Sequence, residues 1–320
     1  MKRIGLLTSG GDASGMNACI RAVVRYAAYN DIEVYGIERG FVGLINDDMR
    51  ILTKRSVSDI IHRGGTILKT ARSTEFREYD GIKAGASNLS NRNIDGLIVI
   101  GGDGSYRGAK DIYDKFGVKV VGIPGTIDND LNYTDYTLGF DTAVNTVISA
   151  INNLRDTMSS HNRVSIVQVM GRHCGDIALY AGLGGGAEVV LVPEKPVKIE
   201  EIVKKLESAQ ASGKQSGIIV CAEGACDMNK LKADIEEKTG LIMRTTVLGH
   251  IQRGGMPSMM DRVLAAQFAQ QAVELLKNNI GGKVVGIRNN KIIFDDITAA
   301  LEMGCKFNHE LLSLIKVLSL

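Results

Sequence analysis

One pattern constrains this chain more than any other: a short apolar run ends in a glycine turn, and a segment of helical period follows. It occurs at Leu7-Thr8-Ser9-Gly10-Gly11-Asp12, at Ile100-Gly101-Gly102-Asp103-Gly104-Ser105, and at Met170-Gly171-Arg172-His173-Cys174-Gly175-Asp176. A strand that turns tightly into a helix leaves backbone N–H groups at the carboxyl edge of a sheet, where open α/β folds bind phosphate. One such turn serves equally to end a strand. Three favour ligand binding.

The rest of the chain keeps the same alternation. Buried strands are expected at 4–7, 33–37, 97–100, 118–123, 165–170, 188–192, 218–222 and 284–287. Between them, Met16, Ile20, Val23, Val24 and Ala27 form one helical face, and Ala143, Val147, Ile151 and Leu154 another. A third is Val263, Ala266, Phe268, Ala269, Val273 and Leu276. Strands alternating with helices predict α/β architecture with mainly parallel sheets. No low-complexity linker is present, so a second domain has to be stitched in by several crossings.

With 320 residues there is room for a sizeable core. A net charge of +2 argues against nucleic acid or an anionic membrane as partner. No apolar run approaches a membrane span. Met1-Lys2-Arg3 and the run after it are too short for a signal peptide and break at Thr8. Cys19, Cys174, Cys221, Cys226 and Cys305 lack CxxC spacing, and no HxxxH pair occurs. Neither a disulfide framework nor a transition-metal site is expected, which fits a reducing cytoplasm.

Common nucleotide fingerprints fail in detail. Gly64-Gly65-Thr66-Ile67-Leu68-Lys69-Thr70 has Leu68 where a Walker A loop needs glycine, and the run from Gly102 ends in Arg107 where GxGxxG needs glycine. More informative is Pro124-Gly125-Thr126-Ile127-Asp128-Asn129-Asp130, directly after an expected strand. Two carboxylates two residues apart, beside a hydroxyl, suit phosphoryl transfer: one takes the proton of an attacking hydroxyl, another holds magnesium. An Asx turn explains the same residues about as well. Asp103 offers a third carboxylate.

The segments LTSGGDASGMN, GGDGSYRGA, PGTIDND, MGRHCGD, AEG and LGHIQRGG stand in the order and spacing of the bacterial ATP-dependent 6-phosphofructokinases, which the chain resembles until about Ile297. The resemblance implies two Rossmann-like three-layer α/β/α domains of the phosphofructokinase fold, with the active site in the cleft between them. The larger, ATP-binding domain would be 1–138 plus 251–300; the smaller, fructose-6-phosphate-binding domain 139–250 plus 301–320. It implies a cytoplasmic homotetramer that uses Mg²⁺ to move the γ-phosphoryl of ATP to the 1-hydroxyl of fructose 6-phosphate, the committed step of glycolysis. A catalytically weak sugar-phosphate-binding regulator of the same fold is the alternative.

Residue by residue, the resemblance makes Asp128 the general base, with Thr126 and Arg172 steadying the transferring phosphoryl and Arg72 neutralising ATP. Asp103 is the implied magnesium ligand, and Asp130 positions the metal or the base. Gly11, Arg72, Gly102, Asp103, Gly104 and Ser105 would bind ATP, with Phe41 and Arg77 nearby; Phe41 stands where many relatives carry tyrosine. Arg163, Arg244, His250 and Arg253 would hold the 6-phosphate, the first two from a neighbouring subunit, with Met170, Gly171 and Glu223 near the sugar. Pyrophosphate-using relatives carry aspartate at position 104 and lysine at position 125. Glycine at both favours ATP.

Arg21 and Arg25 stand four apart, a like-charge spacing that costs about 0.2–0.5 kcal/mol and that solvent or a bound anion relieves. The resemblance implies an ADP or phosphoenolpyruvate site using Arg21, Arg25, Lys54, Arg155, Glu188 and Lys214. Lys54 replaces an arginine, and Ser212 and Gln215 replace lysines, so a weak effector response is expected. Ser14 and Thr74 replace rigid residues near the ATP site and release the backbone there.

Overall fold

A computed structural model describes residues 1–159, 163–213, 216–304 and 307–319; Lys214, Gln215 and Cys305 lie outside these. The chain runs β1 (Arg3–Thr8), α1 (Met16–Tyr29), β2 (Glu33–Ile37), α2 (Gly40–Ile45), β3 (Met49–Leu52), α3 (Tyr79–Asn91), β4 (Gly96–Gly101), α4 (Asp103–Phe116) and β5 (Lys119–Pro124). Then come α5 (Phe140–Ser159), β6 (Val164–Val169), α6 (Asp176–Gly184), β7 (Val189–Leu191), α7 (Ile199–Ala211), β8 (Gly217–Ala222), α8 (Met228–Thr239) and β9 (Met243–Val247). It closes with α9 (Met259–Lys277), β10 (Lys283–Arg288), β11 (Lys291–Asp296), α10 (Ile297–Glu302) and α11 (His309–Leu318). Two compact units result: Met1–Thr142 with Arg253–Cys305, and Ala143–Gln252 with Lys306–Leu320.

The first unit is built on a seven-stranded sheet ordered β11-β10-β5-β4-β1-β2-β3. Its middle is parallel; β3 and β11 return antiparallel at the two edges. All of β4, Gly-Leu-Ile-Val-Ile-Gly, is buried, as a strand covered by helices on both faces must be. Leu97 and Val99 pack with Phe41, Leu44 and Ile112 on one side. α9 packs on β5 and on α1. Two buried tyrosines tie α4 to β10: the Tyr106 hydroxyl lies 2.9 Å from that of Tyr133, which donates to the Val285 carbonyl at 2.9 Å. Leu68, the residue that spoils the Walker A pattern, is wholly buried in this unit.

The second unit holds a four-stranded parallel sheet, β7-β8-β6-β9. β8 is buried throughout. Ile166, Ile219, Cys221 and Met243 face Ile202 and Leu206 of α7 and Ile235 of α8. α6 packs on β7 and β8, and α11 on α6.

Each of the eight expected strands forms. Three further strands, β3, β9 and β11, do not appear in the sequence reading. The α9 face differs from expectation in part: Phe268, Ala269, Val273 and Leu276 are buried as expected, but Val263 and Ala266 are exposed, and Leu264, Ala265, Ala272 and Leu275 are buried in their place. The run of small and apolar residues from Val263 to Ala272 fits two adjacent registers, and packing on β5 and α1 selects one.

Candidate active site

In the first unit β5, β4 and β1 are neighbours and parallel, so the loops after them emerge side by side at one edge. Backbone bonds stitch them together: Ser9 N–H donates to the Ile100 carbonyl at 2.9 Å and Gly125 N–H to that of Gly101 at 3.0 Å. Glycine is required where they meet: a β-carbon on Gly101 would lie 2.7 Å from the Ser9 carbonyl oxygen, while one on Gly102 would make ordinary contact with the Thr126 side chain at 3.6 Å. The two glycine turns and the 126–130 loop thus form one surface.

The 126–130 loop is braced from within. The Thr126 hydroxyl accepts from the Asp128 N–H at 3.2 Å, and the Thr137 hydroxyl donates to the Thr126 carbonyl at 2.6 Å. Asn129 takes a left-handed conformation, φ 53°, in which its side chain accepts from the Thr137 N–H at 3.0 Å and donates to the Asp135 carbonyl. Asp128 is 1% exposed, and Asp130 is half-buried. The local turn is closed by the Thr126 hydroxyl, while the Asn129 side chain reaches on to Thr137 and Asp135; together they hold the loop that carries both carboxylates.

Around this surface, Gly104 opens α4 with no atom near the space its side chain would fill, and Ser105 is buried behind it. Arg72 and Arg77 are exposed and, among the described residues, make no ion pair. Phe41 belongs to the core: it is 6% exposed and stacked on Phe76 at 4.2 Å. Ser14 is tied down, its hydroxyl 3.1 Å from the carbonyls of Gly254 and Gly255, which restores restraint that a proline would have given. Thr74 is exposed just before a short 3₁₀ turn, Glu75–Arg77.

Asp103 lies in the first turn of α4, where its carboxylate accepts from Arg107 at 2.9 and 3.2 Å. Among the described residues no group of three His, Cys, Asp or Glu gathers to hold a metal. The Asp103 carboxylate is a hard oxygen donor of the kind that magnesium takes, one or two at a time beside substrate phosphates and water.

In the second unit the loops after β6, β8 and β9 also lie side by side. Gly171 has φ 134°, and a β-carbon there would strike the Cys174 carbonyl. Arg172 follows in the left-handed region at φ 54°, a conformation worth about 1–3 kcal/mol of strain. Glu223 holds it there, accepting the Arg172 N–H at 2.8 Å. Met170 N–H donates to Gln252 at 3.2 Å, and Gln252 in turn donates to the Gly249 carbonyl at 3.0 Å. Gln252 is wholly buried and secures the turn that carries His250, itself exposed.

The sequence-derived sugar-phosphate set is divided by the structure. Met170, Gly171, Arg172, Glu223 and His250 gather at the carboxyl edge of the second sheet. Arg163 precedes β6, and Arg244, one residue into β9, is in register with Ser165. These two arginines therefore share the opposite edge, roughly 20 Å away along a six-residue strand. Arg253 belongs to the first unit, where it donates to the Asp12 carbonyl at 3.1 Å.

Of the expected effector residues, Arg21 and Arg25 lie on α1 and Lys54 on the exposed segment after β3. Arg155 is already engaged by the carbonyls of Gly185 and Gly186 and, at 3.7 Å, by buried Glu188. Lys214 is outside the described residues.

Two positioning residues escaped the sequence reading. Gln252 is one. The other is Asp261, wholly buried, which accepts from Gly139 N–H at 2.7 Å and from the N–H of Thr142 at 3.0 Å and its hydroxyl, fixing the start of α5 and of α9. Burial raises its pKa against the lowering effect of those bonds. A lone buried aspartate has no local sequence signature.

Parallel α/β sheets with glycine turns, braced carboxylates and arginines at their carboxyl edges define a class, the phosphoryl-transfer enzymes that work by positioning and charge. The comparisons narrow it. The phosphofructokinase family model matches residues 3–276, and the chain belongs to that family. It is 56% identical to the ATP-dependent 6-phosphofructokinase of Clostridium novyi (strain NT) and 55% identical to that of Clostridium tetani (strain Massachusetts / E88), over 100% of each chain. Phosphofructokinase from Saccharomyces cerevisiae superposes with a TM-score of 0.89 at 34% identity, over 94% of this chain; this chain spans 45% of the yeast one.

Proposed function

We propose that this chain is an ATP-dependent 6-phosphofructokinase, which transfers the γ-phosphoryl of ATP to the 1-hydroxyl of fructose 6-phosphate and yields fructose 1,6-bisphosphate and ADP. The observation that carries this reading is the single surface formed by the two glycine turns and the braced 126–130 loop. The full-length relatives carry the same activity in their names.

Phosphoryl transfer needs a positioned base and cations around a loose transition state. Asp128 takes the proton of the 1-hydroxyl, and its burial in a braced loop fixes where that hydroxyl attacks. Thr126 and Arg172 steady the transferring group. Gly11, Gly102, Gly104 and Ser105 receive the ATP phosphates, with Arg72 and Arg77 as mobile cations; Phe41 serves as the packed wall behind them. Asp103, with Asp130, would hold magnesium, whose contribution when bound is to neutralise phosphate charge. To hold it, the Asp103 carboxylate would have to leave Arg107.

Met170, Gly171, Glu223 and His250 place the sugar, and Arg253 reaches the phosphates from the first glycine turn. Arg163 and Arg244 serve a neighbouring protomer's 6-phosphate, which makes the working form an oligomer, a homotetramer. Their removal to the far edge of the second sheet supports this, as does exposed Ile242, two residues before Arg244. ADP or phosphoenolpyruvate binds weakly at Arg21, Arg25, Lys54, Arg155, Glu188 and Lys214, because Arg155 is already paired. Among the described residues no helix is long and apolar enough to cross a membrane; the enzyme works in the cytoplasm.

The test is ADP release from ATP, and phosphate release from pyrophosphate, each with magnesium and fructose 6-phosphate. Turnover with ATP alone is expected. Turnover with pyrophosphate overturns the donor assignment, and turnover with neither favours the binding-only regulator.

A further inference from the structure

Two cysteines bracket the turn that carries Glu223. Cys221 is buried near the end of β8, and Cys226 is half-exposed just before Asp227, the residue that caps α8. Their sulfurs lie 2.8 Å apart. A disulfide bond is about 2.05 Å long, so a closure of about 0.8 Å separates the two states. The environments also divide the labour. The hydrogen bond to Cys226 and burial push the Cys221 thiol up, and the same bond lowers Cys226. The more accessible sulfur is thus the better nucleophile, and the buried one stands ready behind it.

The turn between them is fitted to Arg172 on two sides. Glu223 accepts the Arg172 N–H, and a β-carbon on Gly224 would lie 2.5 Å from the Arg172 carbonyl. Arg172 is itself in a strained conformation, so it follows movements of its support.

We propose that Cys221 and Cys226 form a reversible oxidation site, closed to a disulfide by a peroxide, and that closure displaces the 222–226 turn and the Arg172 backbone it holds. The Cys226 thiolate attacks one peroxide oxygen; the O–O bond breaks, hydroxide leaves and takes up the proton the thiol gave up to become water, and a sulfenic acid remains. The Cys221 thiol then attacks the sulfenic sulfur, forming the S–S bond and releasing a second water. Two thiols are oxidised and one peroxide is reduced to two waters. A dithiol reverses the step by exchange. The consequence for turnover rests on the reading of Arg172 and Glu223 given above; the cross-link does not.

Reduced protein is treated with hydrogen peroxide, and intact mass, cross-linked peptides and steady-state kinetics with ATP and fructose 6-phosphate are followed before and after dithiothreitol. The expected result is a mass lower by two hydrogen atoms, a Cys221–Cys226 peptide, and a KM for fructose 6-phosphate raised roughly tenfold, the scale of a sub-ångström misplacement, all reversed by dithiothreitol. Cys226→Ser and Cys226→Ala should keep basal turnover and lose the response. Oxygen added to Cys226 without a cross-link overturns the proposal, as does a cross-link that leaves KM unchanged. A protein that cross-links but had no turnover when reduced upholds the oxidation site and counts against the kinase reading.

Discussion

At the residue scale, Asp128 is the proposed base. It is almost sealed from water, and its own N–H is held by Thr126. Asp128→Asn keeps the shape and removes the base, so turnover should fall roughly 10²- to 10⁴-fold while fructose 6-phosphate still binds. Parallel kinetics and calorimetric titration of the sugar phosphate check this; near-normal turnover would remove Asp128 from the mechanism. Asp261 gives a contrasting case, a carboxylate with structural duty. Asparagine there can accept only one of the two backbone N–H groups and turns a donor toward the other. Asp261→Asn should lower stability by about 1–3 kcal/mol, read from denaturant unfolding, with ATP affinity changed far less.

At the element scale, the two glycines proposed to set donor choice differ in kind. Gly104 faces open space in the first turn of α4, whereas a β-carbon on Gly125 would sit 2.8 Å from Ile100. Gly104→Ala should hold or raise stability by up to about 1 kcal/mol and weaken ATP. Gly125→Ala should instead cost about 1–3 kcal/mol through overpacking. Thermal unfolding and the KM for ATP, measured on both variants, separate the two. In sequence both are simply missing side chains, and only packing tells them apart. The strands show the same limit. Every strand with buried neighbours on both sides was legible as an apolar run. β3, β9 and β11 are edge strands, where one flank and much of one face meet water, and Met-Arg-Thr-Thr-Val or Lys-Ile-Ile-Phe-Asp-Asp carries no such run.

At the scale of the whole molecule, charge placement predicts the response to acid. Asp47, bonded to Arg92, and Glu274, bonded to Lys277, are held below the usual carboxylate range. Asp95 and Asp296 are too, because backbone N–H groups outweigh the raising effect of burial. A lowered carboxylate adds stability above its unfolded pKa and loses it as pH falls through the folded value. Asp261 has the opposite sign: its contribution is present at low pH and lost as pH rises through its raised value. The windows differ: Asp261 alters stability above its unfolded pKa and the four lowered carboxylates below theirs, so the melting temperature should drop as pH falls below about 4. Asp47→Asn should flatten that decline by a small amount, as befits a partly exposed pair. A flat Tm between neutral pH and pH 3 would contradict this balance. The loops of the candidate site were legible as motifs because their residues are contiguous in sequence. Gln252 and Asp261 were not, because their partners lie at Met170 and at Gly139 and Thr142, and only the fold brings them together.

The stitched topology also sets an order of events during synthesis. β5 leaves the ribosome with one edge bare and pairs with β10 only after Lys283 has been made. All four strands of the second sheet are translated in that interval. The nascent chain must therefore carry an unfinished sheet, its bare edge open to mispairing with other chains, while a whole second sheet assembles downstream. Ribosome stalling between Val247 and Lys283 should leave the chain most dependent on chaperones.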